Sequence, residues 1–476
     1  MLQNKSSHTD SDAQFPALDI GKTLNTIMQL IKKNFPVPAR FKSALPSDIA
    51  ELSRLLTNRR GERYLSYLAR PNLLCAYIYY FLPWNLYRLC LLLPGLKLRL
   101  RADDIITDLG CGPLTFTSAL WIAYPQLRET PLEFNCIDRS AQALEAGKNF
   151  FSSLCETDEK ITKWKINIIK EDIDLRKVNF KSTAARYNKT NREAKASYAA
   201  KASCAARAAC DVSSSNKNKK SALICAVNLF NELYDNLSHN NTEELGKIAF
   251  AAAGYMHNKA EDAASILTVE PGVPQSGRFI SLLRGRFMEL NRQAASPCTH
   301  NKECPLSPAR LKRSYDTSGE MIKRKGQKTN KKWCHFAFEA NDAPEELRRL
   351  SAAAGLPKER LAFSYLLLSR VSEAVCGEVS RADTSNELDK AQPEQRAQLE
   401  QHAQLEQRAR VISDVFSLPE NNFGCYGCSA KGLVLLTGKK NQTDKIKSGN
   451  LIVPVFGKIE QRDAKSGALI AGLPKE

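Results

Sequence analysis

Three cysteines with unusual neighbours lie in one stretch of the chain: Cys298 follows a proline, Cys304 precedes one, and Cys334 stands between a tryptophan and a histidine. Cys425 and Cys428 form a further pair near the C-terminus. Thiolates are soft ligands and suit zinc or an iron–sulfur cluster. Structural zinc sites use tight pairs, which only the C-terminal pair provides, whereas a larger cluster tolerates cysteines from separate loops. The spacing leaves open an iron–sulfur cluster, a zinc site and unrelated free thiols.

A second candidate site begins at Asp108, where the chain reads Asp-Leu-Gly-Cys-Gly after an apolar segment. Gly110 and Gly112 allow a backbone turn to approach a cofactor closely at the start of a helix. Asp138 ends the next apolar segment and is placed to accept hydrogen bonds from both ribose hydroxyls, and Asp172 ends the third, where an adenine amino group would lie. Together, these acids and glycines predict a binding site for a cofactor that contains a nucleoside. A tight turn with no ligand is the alternative, and NAD is disfavoured because the GxGxxG pattern is incomplete.

The elements that must position these residues alternate between strand and helix. Five apolar segments predict strands, and amphipathic segments predict the helices between them; the strands are IITDL from 105, EFNCID from 133, WKINIIKEDI from 164, ALICAV from 222 and SILTVEPG from 265. Alternation of this kind predicts an α/β fold with a parallel sheet covered by helices on both faces. Ligands of such sheets bind at the carboxyl ends of the strands, where the acids and glycines fall.

The composition divides the chain into four parts. We predict disorder over 1–19, a helical N-terminal domain over 20–102, the α/β domain over 103–290, and a cysteine-containing C-terminal extension with short strands over 291–476. Polar, low-complexity insertions are predicted at 181–220, 310–332 and 380–415. The most apolar run, 73–93, contains Pro, Asn and Arg, so it predicts core helices and no membrane span.

The charge of the chain points to a polyanionic partner. Its 69 Lys and Arg against 51 Asp and Glu give a net charge of +18, which is typical of nucleic-acid-binding proteins, although a soluble protein with basic loops has the same balance. The 14 cysteines are spread over a long chain, which favours a reducing compartment over a secreted disulfide framework. With no signal or transit pattern evident at the N-terminus, we expect a cytoplasmic monomer.

Residues 103–272 resemble the class I S-adenosylmethionine-dependent methyltransferases, whose first motif is an acid followed by a sequence of the LGCGPG type. The resemblance implies S-adenosylmethionine at Asp108, Gly110, Gly112, Asp138 and Asp172. This chain has Leu114 where the motif has a third glycine, so we expect crowding at the methionine end and weakened cofactor binding. NLFNEL stands after the fourth strand in place of Asn-Pro-Pro-Tyr, and the Pro-Cys pair at 297–298 lies too late for a nucleophile. No catalytic residue is assigned.

Four further segments, EPGVPQSGRF, PCTHNKECPL, WCHFAFE and FSYLLLSR, resemble the methyltransferase-like assembly factors of the mitochondrial small ribosomal subunit, a family with bacterial relatives. The resemblance implies a structural four-iron, four-sulfur (4Fe–4S) cluster held by Cys298, Cys304, Cys334 and a fourth cysteine. In the family the fourth cysteine precedes a short turn ending in glycine and then a strand, and Cys428-Ser-Ala-Lys-Gly matches that pattern, so the resemblance favours Cys428 over Cys425. The two nearby histidines, His300 and His335, are expected beside the ligands or at the surface.

Three functions follow from these expectations. The first is a small-subunit assembly or translation factor that binds ribosomal RNA and the pre-ribosomal particle through its basic surface. The second is an active S-adenosylmethionine-dependent rRNA methyltransferase. The third is a zinc-binding interaction protein with an inactive methyltransferase fold.

Overall fold

The computed structural model describes residues 19–57, 67–96, 98–158, 162–173, 175, 220–234, 241–308, 332–370 and 407–474. The predicted disordered start and the predicted insertions lie almost entirely outside these residues. The end of the third insertion is an exception, because residues 409–411 form a strand of the C-terminal sheet.

Five helices form the N-terminal region: α1 (Ile20–Asn34), α2 (Ala39–Lys42), α3 (Leu45–Thr57), α4 (Pro71–Ala76) and α5 (Leu82–Leu92), with a π turn over Tyr77–Phe81 between the last two. The carboxylate of Asp19 caps α1 by accepting from the Lys22 N–H at 2.9 Å. Apolar residues recur every three or four positions in α1 and α3, so each of these helices buries one face, whereas α5 is buried nearly all round. These helices share a hydrophobic core with one face of the main sheet. No helix in the described ranges is long and apolar enough to cross a membrane.

The main sheet has eight strands: β1 (Ile105–Leu109), β2 (Leu132–Asp138), β3 (Trp164–Lys170), β4 (Ser221–Val227), β5 (Ala260–Pro271), β6 (Arg292–Ser296), β7 (Phe336–Glu339) and β8 (Arg360–Arg370). Its order is β3-β2-β1-β4-β5-β8-β6, with β7 beside β8. The first five strands are parallel, and β8 runs antiparallel between β5 and β6. This order, with one antiparallel strand inserted next to the last, is the class I methyltransferase arrangement, so the predicted fold class is confirmed.

Five helices cover or follow this sheet: α6 (Thr115–Ala123), α7 (Ala141–Cys155), α8 (Thr242–Lys259), α9 (Pro274–Glu289) and α10 (Glu345–Ala353). The sheet separates two apolar cores, one shared with the N-terminal helices and one beneath α8 and α9. The five strands that the sequence predicted are parallel as expected, and the sheet continues beyond β5 with three strands that the sequence did not predict. The apolar segment FSYLLLSR, which the sequence marked only as a motif, is part of β8, and its buried position between two strands explains its continuous hydrophobicity.

The C-terminal region folds into a second sheet: β9 (Ala409–Val411), β10 (Phe416–Leu418), β11 (Asn422–Ser429), β12 (Gly432–Gly438), β13 (Leu451–Ile452), β14 (Val455–Phe456) and β15 (Leu469–Gly472), with the short helix α11 (Lys440–Thr443). Its order is β13-β9-β11-β12-β15-β14, with β10 beside β11. The two end strands, β13 and β14, are separated by only two residues, so the edges of the sheet lie within about 10 Å of each other. The sheet therefore closes into a barrel, whose interior holds Val411, Cys425, Val434, Leu436, Leu469, Ala471 and Leu473.

Candidate functional site

The turn after β1 requires its glycines. Gly110 and Gly112 have φ of +64° and +51°, a region that side chains disfavour. A Cβ on Gly110 would also lie 2.7 Å from Cδ1 of Leu229. The N–H of Gly112 donates to Oδ2 of Asp138 at 2.9 Å, and the N–H of Ser140 donates to Oδ1 at 2.8 Å. The carboxylate at the end of β2 therefore holds the turn after β1 in place.

A cleft opens at the carboxyl ends of the parallel strands, where the sequence placed its nucleoside cofactor. Gly110, Gly112, Asp138 and Asp172 line it, and its volume is about 810 Å³ including space open to solvent. Asp108 lines a smaller adjoining pocket of about 240 Å³, again including space open to solvent, which also contacts Gly110. The structure thus brings all five predicted cofactor residues to one place.

Asp108 lies at the inner end of this site, with its side chain fully buried. Burial raises the pKa of its carboxyl to about 7. The Thr117 hydroxyl donates to Oδ2 at 3.4 Å, and the Cys225 thiol donates to Oδ1 at 3.5 Å. Asp108 is therefore held by hydrogen bonds from buried residues, and it supports the turn after β1 on the side of the protein interior.

The expectation that Leu114 crowds the cofactor was wrong. Leu114 has φ +53° and is fully buried, and it lines neither of these two cavities. Its side chain packs on α7, where a Cβ on Gly147 would lie 2.7 Å from Cδ1 of Leu114 and 2.4 Å from the carbonyl carbon of Pro113. The left-handed backbone turns this side chain away from the cleft.

One wall of the cleft comes from segments that the sequence did not identify. Tyr67 and Tyr77 of the N-terminal region line it, together with Arg139 and Glu232. The Tyr67 hydroxyl donates to Oε1 of Glu232 at 3.0 Å, and Nη2 of Arg139 donates to Oε2 at 2.9 Å. These partners are far apart in the sequence, so no local pattern signals them.

A polar network lies where β4 ends. Asn228 has φ +54° and lines both cavities. Nη2 of the buried Arg88 donates to Oδ1 of Asn85 at 2.7 Å and to Oδ1 of Asn228 at 3.2 Å, and Nδ2 of Asn228 donates to Oδ1 of Asn85 at 3.4 Å. Burial lowers the pKa of Arg88 to about 10, so it remains a cation at neutral pH. Arg88 therefore fixes the orientation of the Asn228 amide.

Tyr77 faces the same region. Burial raises the pKa of its phenol well above the usual value, and the charges of Asp138 and Glu232 raise it further. Tyr77 is consequently a neutral hydroxyl at physiological pH, able to donate or accept a hydrogen bond but unable to serve as a base.

The four predicted cluster cysteines come from separate segments. Cys298 and Cys304 follow β6, Cys334 precedes β7, and Cys428 lies in β11. Burial raises the pKa of the Cys428 thiol, and the charges of the other three raise it further. Burial raises the pKa of Cys425 to about 11 with no contribution from the other thiols, because its side chain points into the barrel. Because residues three apart on a strand point to opposite faces, Cys425 and Cys428 face different sides of β11. The structure therefore brings Cys428, and not Cys425, to the other three cysteines.

Two observations bear on what these thiols can bind. Within the described ranges, no group of three or more His, Cys, Asp or Glu side chains is arranged to hold a metal ion. The thiols nevertheless influence one another electrostatically.

Two arginines lie beside the thiols. Nη2 of the buried Arg284 donates to the carbonyl of His300 at 2.7 Å, and Nε of Arg410 donates to the carbonyl of Pro297 at 2.9 Å. Their positive charges lower the pKa of Cys334, but burial raises it by more, so the pKa of this thiol is raised overall. The site therefore combines buried thiols with fixed cations.

The two histidines of this region have different settings. His300 is buried with Nε2 3.8 Å from Sγ of Cys428, and burial followed by the charge of Arg284 lowers its pKa to about 4, so the imidazole is neutral. His335 stacks on Trp333 with the ring centroids 4.8 Å apart. His300 is thus a buried neighbour of the thiols, and His335 packs against an aromatic ring.

Comparisons with known proteins gave matches among solved structures. No protein-family model and no curated protein matches the chain. A methyltransferase of Geobacter sulfurreducens in complex with S-adenosyl-L-homocysteine is 13% identical, covering 60% of this chain and 91% of its own, with a TM-score of 0.26. A methyltransferase of Thiobacillus denitrificans with the same ligand is 11% identical. The match covers 60% of this chain and 91% of that protein, with a TM-score of 0.26.

A third match is a protein of Pyrococcus horikoshii provisionally assigned as an RNA methyltransferase. It is 12% identical, covers 71% of this chain and all of its own, and has a TM-score of 0.26. Identities and TM-scores this low do not bear on function, and the strand order described above defines the fold.

Proposed function

We propose that this protein is a small-subunit ribosome assembly or translation factor that binds S-adenosylmethionine and ribosomal RNA and carries a structural 4Fe–4S cluster. The observation that carries the proposal is the cleft in which Gly110, Gly112, Asp138 and Asp172 meet at the carboxyl ends of the strands. The net charge of +18 and the four sequence segments that resemble the assembly-factor family support the RNA partner.

The cleft fits the cofactor chemically. Each oxygen of Asp138 accepts one backbone N–H, and a carboxylate has about four acceptor sites, so acceptor capacity remains for the two ribose hydroxyls. The glycines leave room for the cofactor to approach the backbone. When bound, S-adenosylmethionine supplies an activated methyl group.

The groups around the cleft favour a binding role over catalysis. Both oxygens of Glu232 already accept hydrogen bonds, from Tyr67 and from Arg139. The amide oxygen of Asn228 accepts from a cation, which weakens it as an acceptor for a substrate amine. Tyr77 remains protonated. None of Glu232, Asn228 and Tyr77 is therefore available as a base for methyl transfer.

An active rRNA methyltransferase is the second candidate. Asn228 lines both cavities at the end of β4, and Arg88 holds its amide in one orientation, as a substrate-binding amide requires. This arrangement suits a methyl transfer in which the substrate must be oriented but does not have to be deprotonated.

We favour an iron–sulfur cluster over a single ion at the four thiols, because the sequence segments that carry these cysteines resemble the assembly-factor family. A cluster spans more space than one ion, and it is held by four cysteine thiolates, here Cys298, Cys304, Cys334 and Cys428. Arg284 and Arg410 would offset part of its negative charge. The cluster would join the segment after β6 to the barrel and, by closing a loop of more than one hundred residues, would contribute several kcal/mol to folding.

Two measurements test the proposal. Calorimetric titration of the anaerobically purified protein is expected to show saturable S-adenosylmethionine binding, and deletion of the gene is expected to remove no methyl mark from small-subunit rRNA. A mark that is lost and then restored by the wild-type gene would support the methyltransferase instead. Failure to bind the cofactor would contradict the cleft assignment.

Metal analysis tests the cluster with a matched pair of variants. We expect about four iron atoms per chain in the wild type and in Cys425→Ser, and loss of iron in Cys428→Ser. One zinc and no iron would support the zinc-binding alternative, and full iron in Cys428→Ser would contradict the ligand set.

A further inference from the structure

The barrel has a recognisable connectivity. Taken together, β13 and β14 form one strand bent at residues 453–454, which leaves five main strands, with β9 first and β15 fifth. Around the barrel the order is fourth, first, second, third, fifth and back to the fourth. The third and fifth strands, β12 and β15, are parallel, and α11 lies between the third and fourth. This is the connectivity of the OB-fold, which binds oligonucleotides and oligosaccharides.

Part of the surface that OB-folds use is covered here. Ligands usually meet the outer face of the second and third strands and the loops between strands one and two and between strands four and five. On that outer face Tyr426, Leu433 and Leu435 are only 6%, 8% and 4% exposed, because they pack on the core shared with the main sheet. The loop between the fourth and fifth strands, residues 457–468, remains open.

The exposed side chains at this loop have an unusual composition. Ile459, Val455 and Val453 are 79%, 53% and 48% exposed, and they are three of the four exposed large hydrophobic residues among those the structure describes. Lys458 and Lys465 are exposed in the same loop. Exposed apolar groups beside cations fit a ligand that has both flat apolar faces and negative charge.

Two cations at this end of the barrel lie over aromatic rings. Nζ of Lys431 is 4.2 Å from the ring centre of Phe456, the residue that leads into the loop, and Nζ of Lys332 is 4.1 Å from the ring centre of Tyr426. The ammonium groups of Lys332 and Lys465 repel each other electrostatically, so Lys332 lies close to the loop. The loop also contains two acids: Glu460, which is exposed, and Asp463, whose carboxylate accepts from the N–H of Ser466 within the loop.

The balance of charge agrees with a polyanion. Residues 409–474 contain nine Lys and Arg against five Asp and Glu. Alternating cations and aromatic rings are typical of single-stranded nucleic-acid sites, where bases stack and phosphates meet ammonium groups. A neutral oligosaccharide would supply no negative charge for these lysines.

We propose that the barrel binds single-stranded RNA across the loop 457–468, with Lys431, Lys458 and Lys465 on the phosphates and bases against Phe456 and the exposed aliphatic side chains. The inference rests on the proposed RNA-binding function and assigns its contact to a surface distinct from the cofactor cleft. The RNA is recognised as a single strand, because every base has a face that can pack on these groups.

The test uses the full-length, anaerobically purified protein and a fluorescein-labelled single-stranded RNA of twelve nucleotides (about the length of one OB-fold site) in fluorescence anisotropy. The triple variant Lys431→Glu, Lys458→Glu, Lys465→Glu is expected to weaken binding at least about tenfold. Its plot of log affinity against log salt is expected to be shallower by about 2, because three phosphate contacts are lost.

The matched control reverses the same number of charges on exposed lysines of other elements: Lys33→Glu, Lys148→Glu and Lys163→Glu. It is expected to keep wild-type affinity within about twofold, and both triple variants are expected to bind S-adenosylmethionine normally. Ultraviolet crosslinking of RNA to the wild-type protein, mapped by mass spectrometry, is expected to mark residues 455–468, whatever the folding of the variants.

Equal loss of affinity in both triple variants, no binding of the oligonucleotide by the wild type, or crosslinks confined to other segments would overturn the inference. The proposed function fails separately, if the wild-type protein does not co-sediment with small-subunit particles. That measurement does not depend on the oligonucleotide, so the two failures are distinguishable.

Discussion

The substitution Gly147→Ala tests how the cofactor turn is supported. Gly147 lies in the middle of α7, and its missing side chain lets the helix contact the turn that carries Gly112. A Cβ at this position would lie 2.4 Å from the carbonyl carbon and 2.7 Å from the Cα of Pro113. Because both are backbone atoms, neither can swing aside. The helix or the turn must therefore move.

The magnitude follows from two opposing effects. Replacing glycine by alanine within a helix normally stabilises a protein by about 0.5–1 kcal/mol. Overlap in a packed interior costs about 1–3 kcal/mol. We expect Gly147→Ala to lower the free energy of unfolding by about 1–2 kcal/mol and to weaken S-adenosylmethionine binding, since the displaced segment is continuous with Gly112.

Gly285→Ala is the matched control. Gly285 lies within α9, and no heavy atom lies within 4 Å of the point that its Cβ would occupy, so this variant is expected to gain stability. The two variants should differ by roughly 1.5–3 kcal/mol in thermal or urea unfolding followed by tryptophan fluorescence. Calorimetry of the cofactor provides the second readout. Equal stability of the two variants would refute the close contact between α7 and the turn.

Three further variants probe the cleft. Asp138→Ala is expected to weaken S-adenosylmethionine binding by about 10- to 100-fold in calorimetry, since bonds to a charged acceptor contribute about 1.5–3 kcal/mol; unchanged affinity would exclude its contact with the cofactor. Leu114→Ala should lower stability by about 2–4 kcal/mol and leave the affinity unchanged, because the side chain packs on α7; an altered affinity would return Leu114 to the cleft. Asp108 has a pKa raised to about 7, so the folded state holds its proton more tightly and stability falls as pH rises towards 7. In thermal unfolding, the stability of Asp108→Asn relative to the wild type should increase by about 3 kcal/mol as the pH is raised from 5 to 8. A stability difference that does not change with pH would contradict the raised pKa.

The elements that the sequence predicted are those with a local signal. Each of β1 to β5 is a short apolar run, and the acids and glycines that end these runs are adjacent to them in sequence, so the position of the cleft followed from strand order. The turn and strand expected after Cys428 are also present, because the turn that ends at Gly432 joins β11 to β12.

The parts that the sequence did not reveal depend on contacts between distant segments. Tyr67 meets Glu232 across 165 residues, and Arg88 meets Asn228 across 140. The packing of Leu114 on α7 depends on its left-handed backbone and on Gly147, neither of which a motif records. Closure of the barrel depends on two short strands that pair with opposite edges of one sheet, and such pairing has no periodicity to detect.

The central claim is that this protein works on small-subunit ribosomal RNA. Crosslinking in living cells followed by sequencing of the bound RNA tests it most directly. The proposed function predicts strong enrichment of small-subunit rRNA over its share of the input RNA, with sites in single-stranded segments. Bound RNA with the same composition as the input would contradict it.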